Sequence, residues 1–295
     1  MNEQTIYALG FFDGVHLGHQ ALLKSCRELA DRHGCNAGAV TFASHPQTVL
    51  SGNVPSLINT KEDKADLLCL YGMDSVLELP FDKTIQTTHW SVFLQQLMAG
   101  GAAGFVCGSD FRFGAGGLGT AKKLAAFCQK HKLPHEIVPQ QELRGIRVSS
   151  THIRTLLELG DMEEAARFLG HPHILTGTVE KGKQIGRAIG FPTANISYPA
   201  DLVQLKKGVY ACRVWADGKT YDAVTNIGTR PTVNGKGVNA EAFLLDFQGD
   251  LYGKTIKIAF YQFLRPEEKF SSLEELQKEI QKNALQTRKF FEKSE

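Results

Sequence analysis

The sequence predicts an α/β domain on a doubly wound parallel sheet, followed by a small, mainly β domain of barrel type closed by a helix. Up to about residue 170, short apolar runs alternate with segments of helical period, and from about Pro172 the period changes to two. All ten histidines lie at or before His173. A chain of 295 residues is long for one average domain and sufficient for two, each with its own core. The boundary is therefore drawn between residues 170 and 171.

The elements follow in order. "TIYALG" reads as a buried strand, and Leu22, Cys26 and Leu29 then share one helix face that stops at Gly34. "AGAVTF" is a second strand. Thr60 and Asp63 form a capping-box pattern for a helix bearing Leu67, Leu68 and Tyr71, and "DSVLEL" is a third strand. "SVFLQQLMAGG" is a glycine-stopped helix, "GFVCG" a fourth strand, "LGTAKKLAAFCQKH" a helix and "HEIVP" a fifth strand. Strands separated by helices imply right-handed crossovers and a parallel sheet. Two short helices follow, Thr151 to about Leu159 and, behind Asp161 with Glu164 as its partner, to about Leu169. In the second half, "GVYACRVWADGKTYDAVTNIG" alternates around an Asp217-Gly218 hairpin turn, and "GKTIKIAFYQFL" alternates again. A final helix places Leu273, Leu276, Ile280 and Leu285 on one face, with Ser271 or Ser272 as cap.

A formal net charge of +2 without long Lys/Arg runs disfavours nucleic-acid and membrane-surface partners. The start "MNEQTIYALG" lacks a leader pattern and no run of about eighteen apolar residues occurs, which predicts a cytoplasmic protein. Six scattered cysteines without a CxxC pair, as in "LLCLYG" and "GFVCG", read as small buried hydrophobes in a reducing compartment. Oligomeric state stays open.

"FFDGVHLGH" follows the first strand, so it reaches the sheet's carboxyl edge, where open α/β folds bind ligands. His16 and His19 share a face at a helix start, whose free N–H groups and dipole favour phosphate, and Gly18 admits a phosphate close to the backbone. The competing reading is two polar residues in a solvated first turn. Two glycine patterns fail on context. "GAGGLG", Gly114 to Gly119, does not open a βαβ unit, and "GTVEKGKQ", Gly177 to Gln184, has Gln184 where a P-loop needs Ser or Thr.

"GFFDGVHLGH" resembles the HxGH signature of nucleotidyltransferases, in the GxFDGxHxGH form of prokaryotic bifunctional riboflavin kinase/FAD synthetases. "TFASHP" (Thr41 to Pro46), "GSDFRFG" (Gly108 to Gly114) and "SSTHIR" (Ser149 to Arg154) match the same family in order. The resemblance implies that His16 and His19 stabilise ATP phosphates during adenylyl transfer to FMN. Gly14, Gly18, Ser150, Thr151 and Arg154 would bind phosphate, and Phe12, Asp13, His45 and Asp110 would line the nucleotide and flavin pocket. Phe111 and Phe113 fit a pocket or core alternation equally.

The second half is similar to the riboflavin kinase part of that family through "GTVEKGKQIGRAIGFPTANI", "KGVYA", "NIGTRPT", "AEAFLLDF", "LYGK" and "FLRPEEKF". This implies phosphate contacts from Gly182, Lys183, Gly186 and Arg187, a flavin contact from Arg265, and Glu241 as base toward the riboflavin 5′-hydroxyl. Thr193 and Asn195, two apart on an extended segment, offer the oxygen ligands that Mg2+ prefers. Turn residues and an exposed strand carboxylate are the plainer readings. Three departures stand out: Phe243 where many members carry histidine, Phe11 where a small or polar residue is common, and no proline within "TFAS". The expected activity is ATP-dependent conversion of riboflavin to FMN and of FMN to FAD. A dedicated FAD synthetase and a non-catalytic flavin-binding regulator are the rivals.

Overall fold

A computed structural model describes residues 4–43, 55–80, 82–181, 186, 190–232 and 235–293. Contacts divide the chain into two compact units, Met1–Pro55 with Lys61–Ser150, and Ser56–Thr60 with Thr151–Glu295.

The first unit holds a five-stranded sheet in the order β3-β2-β1-β4-β7, from β1 (Thr5–Leu9), β2 (Asn36–Phe42), β3 (Ser75–Leu79), β4 (Ala102–Gly108) and β7 (His135–Val138). Every pairing is parallel. The order reverses at β1 and β4, which opens a crevice beyond their carboxyl ends. Helix α1 (Leu17–His33) ends at Gly34 in the left-handed region and buries Leu23, Cys26, Leu29 and Ala30. Leu22 is only half-buried. Helix α2 (Lys61–Leu70) buries Leu67 and Leu68, while Tyr71 lies just past its end. A helical turn the sequence did not announce, α3 (Lys83–Thr87), precedes α4 (Trp90–Ala99). Phe93, Leu94 and Leu97 of α4 join Leu124, Phe127 and Cys128 of α5 (Ala121–His131) in one core with Leu9, Val40 and Phe105. Helix α5 starts later than the sequence suggests because Thr120 caps it and Gly119–Thr120 pairs as a short strand, β6, with β5 (Arg112–Phe113). "GAGGLG" forms the tip of that hairpin. A second hairpin joins β8 (Glu142–Leu143) to β9 (Ile146–Arg147).

The chain then enters α6 (Ser150–Leu159) and α7 (Met162–Leu169); Asp161 caps α7 by accepting from the Glu164 N–H, as its pattern predicts. Thr151–Leu159 and α7 group with the second unit, not with the sheet. A six-stranded antiparallel sheet follows in the order β10-β15-β12-β13-β14-β11. Its strands are β10 (His173–Thr178), β11 (Ala194–Tyr198), β12 (Gly208–Ala216), β13 (Lys219–Thr232), β14 (Gly235–Leu244) and β15 (Thr255–Pro266). An antiparallel bridge from Glu180 to Asn195 draws the two edges together, so the sheet curls into a nearly closed barrel. Asp217 and Gly218 turn the β12–β13 hairpin with φ of 49° and 76°, the left-handed pair that a two-residue turn requires.

The closing helix α8 (Leu273–Glu292) is capped by Ser272, whose hydroxyl accepts from the Glu275 N–H. Its buried face corrects the sequence reading. Leu273 and Leu285 are 56% and 60% exposed, while Asn283, Thr287 and Phe291 are buried. The inward stripe runs 276, 280, 283, 287, 291, so two polar residues share the buried face, while Leu285 lies off it and Leu273, at the first position of the helix, stays exposed. Cys26, Cys107, Cys128 and Cys212 are buried as expected, but Cys69 is exposed, because "LLCLYG" presents it on the outer side of α2. No described helix is long and apolar enough to cross a membrane.

Candidate functional sites

A cavity of about 500 Å³ lies at the carboxyl ends of β1, β4 and β7. It is lined by Gly10, Phe11, Phe12, His16, Gly18 and His19 after β1, by Asp110, Phe111 and Arg112 after β4, and by the 138–141 and 147–150 segments. The loop that delivers the histidines is conformationally forced. Phe12, Gly14 and Val15 have φ of 58°, 82° and 38°, and the left-handed region is costly for a β-branched residue such as Val15. Side-chain hydrogen bonds hold the loop: Thr41 Oγ1 donates to the Phe11 carbonyl at 2.8 Å, Ser150 Oγ to the Asp13 carbonyl at 2.9 Å, and Gln20 Nε2 to the Val15 carbonyl at 2.8 Å.

His16 is the N-cap of α1: its Nδ1 accepts from the His19 N–H at 3.3 Å, so its ring proton sits on Nε2. The His16 and His19 rings stack with centroids 3.7 Å apart. Burial, then the neighbouring His16 and Lys64, holds the His19 pKa well below the ordinary histidine value, so His19 is a neutral donor at pH 7. Its Nδ1 is buried without a hydrogen-bond partner, a polar atom that a ligand would satisfy. A Cβ on Gly18 would come within 3.2 Å of the His16 ring, so glycine here leaves room for the stacked pair. Both histidines are therefore part of a built cavity, not a solvated first turn.

Asp13 is buried beneath the loop, and Asp110 accepts from Arg147 at 2.5 Å on the cavity rim. Phe111 lines the cavity, whereas Phe113 is core. Thr151 and Arg154 belong to the second unit, where Arg154 Nε donates to the Ser56 carbonyl at 2.6 Å. His45 lies outside the described residues.

In the barrel, β11 pairs with β14 so that Asn195 stands opposite Glu241. Asn195 Nδ2 donates to Thr193 Oγ1 at 3.3 Å, and Asn239 Nδ2 donates both to Asn195 Oδ1 at 3.0 Å and to Glu241 Oε1 at 3.3 Å. Thr193, Asn195 and Glu241 are thus one network, with Asn239 at its centre. Sequence reasoning missed Asn239, although its position two residues before Glu241 puts both side chains on one strand face. Asn239 is buried, and its Oδ1 has no partner.

Two cavities meet at Thr193. One, of about 370 Å³, runs past Pro192, Asn195 and the 247–252 turn. The other, of about 380 Å³, is lined by Gly186, Phe191, Glu241, Phe243, Arg265 and Phe270, with Leu276 and Ile280 of α8. Phe243 meets Phe191 edge to face at 5.2 Å, so this departure extends the apolar wall. Arg265 Nε is held by Asn283 Oδ1 at 3.1 Å and Glu279 Oε1 at 3.2 Å, both on α8. A Cβ on Gly186 would strike the Phe191 carbonyl, so this close approach requires glycine. Gly182, Lys183 and Arg187 lie outside the described residues.

A family model described as FAD synthetase matches residues 1–152, and one described as riboflavin kinase matches residues 169–291. The chain is 36% identical over 294 residues to the bifunctional riboflavin kinase/FMN adenylyltransferase of Listeria monocytogenes, covering 98% of this chain and 93% of that protein. It is 33% identical, with the same coverage, to the protein of that name from Bacillus subtilis. A crystal structure from Streptococcus pneumoniae, described as a macrolide-efflux protein, superposes with a TM-score of 0.87 at 28% identity, covering 98% of this chain and 95% of that one.

Proposed function

Because the chain belongs to the bifunctional riboflavin kinase/FMN adenylyltransferase family, we propose that its two reactions are divided between the sheet domain and the barrel. The protein phosphorylates riboflavin with ATP to FMN, and transfers AMP from ATP to FMN, giving FAD and pyrophosphate. The adenylyltransferase domain is assigned to residues 1–170 and the kinase domain to 171–295, in line with the two family matches. One observation carries the division: each unit has its own cavity, with His16 and His19 lining the one and Glu241 and Arg265 the other.

In the sheet cavity, His16 and His19 donate N–H groups to oxygens of the ATP α-phosphate as charge builds during in-line attack by the FMN phosphate. A fixed pair of donors, His19 held neutral, suits that task, because nothing reorganises as the charge develops. Gly14 and Gly18 admit the phosphates, with Ser150, Thr151 and Arg154 as further phosphate ligands. Phe12, Asp13, His45 and Asp110 shape the pocket.

In the barrel, Glu241 accepts the proton of the riboflavin 5′-hydroxyl, held at the apolar cavity where Arg265 and the Phe191–Phe243 pair meet the flavin. Gly182, Lys183, Gly186 and Arg187 are assigned to the ATP phosphates. The donor set fits Mg2+: Thr193 and Asn195 bring neutral oxygens, as suits an ion shared with a charged triphosphate, and the buried Asn239 Oδ1 beside them lacks a partner. Thr193 and Asn195 would hold the ion, which when bound neutralises phosphate charge. We place the protein in the cytoplasm, where ATP is at hand; its six cysteines are free thiols.

The test supplies ATP and magnesium with riboflavin in one tube and FMN in another. His19→Ala should lower FAD formation by about 100-fold or more and leave FMN formation unchanged, and Glu241→Ala should do the reverse. Loss of both activities in either variant would overturn the division.

A further inference from the structure

Lys64 is a buried cation beside the sheet cavity to which neither reaction assigns a contact. It sits in α2, 7% exposed, and its Nζ donates to Thr41 Oγ1 at 3.2 Å and to the Phe42 carbonyl at 3.1 Å. It also lies 4.9 Å from the centre of the Phe11 ring, a cation–π distance. The Thr41 hydroxyl, itself fully buried, in turn donates a hydrogen bond to the Phe11 carbonyl. Lys64 therefore grips Phe11 twice, through Thr41 at the backbone and directly at the ring. Phe11 is the residue that enters the forced left-handed loop leading to His16.

Burying an ammonium is unfavourable unless its donors and charge are matched, and burial does lower the Lys64 pKa against opposing pulls from Glu78 and Asp13. A leucine or methionine would fill the same space between α2 and β2 without that penalty. What an apolar residue cannot do is hold the end of β2 and the second residue after β1 in one fixed relation. Backbone strain at Phe12 and Val15 persists only where surrounding contacts over-determine it. The departure at position 11 supplies the ring that completes the grip.

We propose that Lys64 is a positioning residue for adenylyl transfer: with Thr41 and Phe11 it clamps the loop that sets the His16–His19 pair in register. The inference rests on the assignment of FAD formation to this cavity.

The experiment uses the full chain and the variants Lys64→Met, Lys64→Arg, Thr41→Val and Thr41→Val/Lys64→Met. Rates are measured with FMN and with riboflavin, alongside amide hydrogen exchange over residues 11–19. Lys64→Met should lower the kcat of FAD formation by about tenfold or more, leave the KM for FMN within about twofold, and leave FMN formation unchanged. Exchange in the loop should rise by about tenfold. Lys64→Arg should restore most of the rate. Thr41→Val should fall in the same direction, and the double variant should be no worse than Lys64→Met, since both act through one path. Unchanged kcat and unchanged loop exchange in Lys64→Met would overturn the clamp, as would Lys64→Arg being no better than Lys64→Met. Should Lys64→Met fail to fold, Thr41→Val decides in the same terms. A parent protein that makes no FAD from FMN would sink the assignment of the site, and loop exchange would still decide the clamp.

Discussion

His173 is 1% exposed against Phe260, and neither ring nitrogen finds a hydrogen-bond partner. Burial, helped by His171, holds its pKa down at about 3. The folded pKa lies below the unfolded value of about 6.5, so as pH falls the unfolded chain takes up the proton first. The stability contributed by neutral His173 is complete above about pH 6.5 and is lost progressively between there and pH 3. Denaturant unfolding at pH 7.5 and pH 5 should show the parent losing about 2 kcal/mol more than His173→Leu over that interval. Equal losses would mean that His173 is solvated. The same logic separates His19 from ordinary surface histidines: the His16–His19 pattern was legible in the sequence, but the neutral state of His19 comes from burial.

Among elements, α8 shows where period reading fails. Leucine at 273 and 285 looks like core by residue type, yet the barrel sees the face that carries Asn283 and Thr287. Asn283 belongs inside because Arg265 Nε donates to its Oδ1, while the buried Thr287 hydroxyl sits among the core side chains without a hydrogen-bond partner. Leu285→Gln should therefore change unfolding free energy by no more than about 0.5 kcal/mol. Phe291→Ala should lose about 3 to 5 kcal/mol, since Phe291 is buried with its ring 5.0 Å from Tyr261 and 4.4 Å from the Arg213 guanidinium. Chemical denaturation ranks the two, and the reverse order would contradict the helix's orientation. By contrast, α1 and α7 were readable to the cap, because Gly34 and the Asp161–Glu164 pair are local signals.

For the whole molecule, the sequence boundary at residue 170 and the contact boundary at Thr151 differ by α6 and α7. Helix α7 buries Met162, Ala165, Phe168 and Leu169, and packs on β10 and β15. Glu163 also accepts a hydrogen bond from Gln262 of β15 at 3.0 Å. A fragment of residues 151–295 should therefore melt well above one of residues 171–295, which would expose several apolar side chains of the barrel's outer wall at about 1.5 to 3 kcal/mol each. Equal melting temperatures would show that α7 adds nothing to the barrel.

By itself the sequence determined the two fold classes, the five parallel strands and the main helices of the first unit and the hairpin at Asp217-Gly218, and it marked the candidate residues for phosphate and flavin chemistry. These are set by local period, caps and turns, or by short runs of residues at fixed spacing. Only the tertiary structure decided that Asn239 joins Asn195 to Glu241, that Lys64 and Thr41 hold Phe11, and which face of α8 turns inward. Each depends on groups from separate strands and helices meeting where water is excluded. No periodicity along one segment records which partner waits on another.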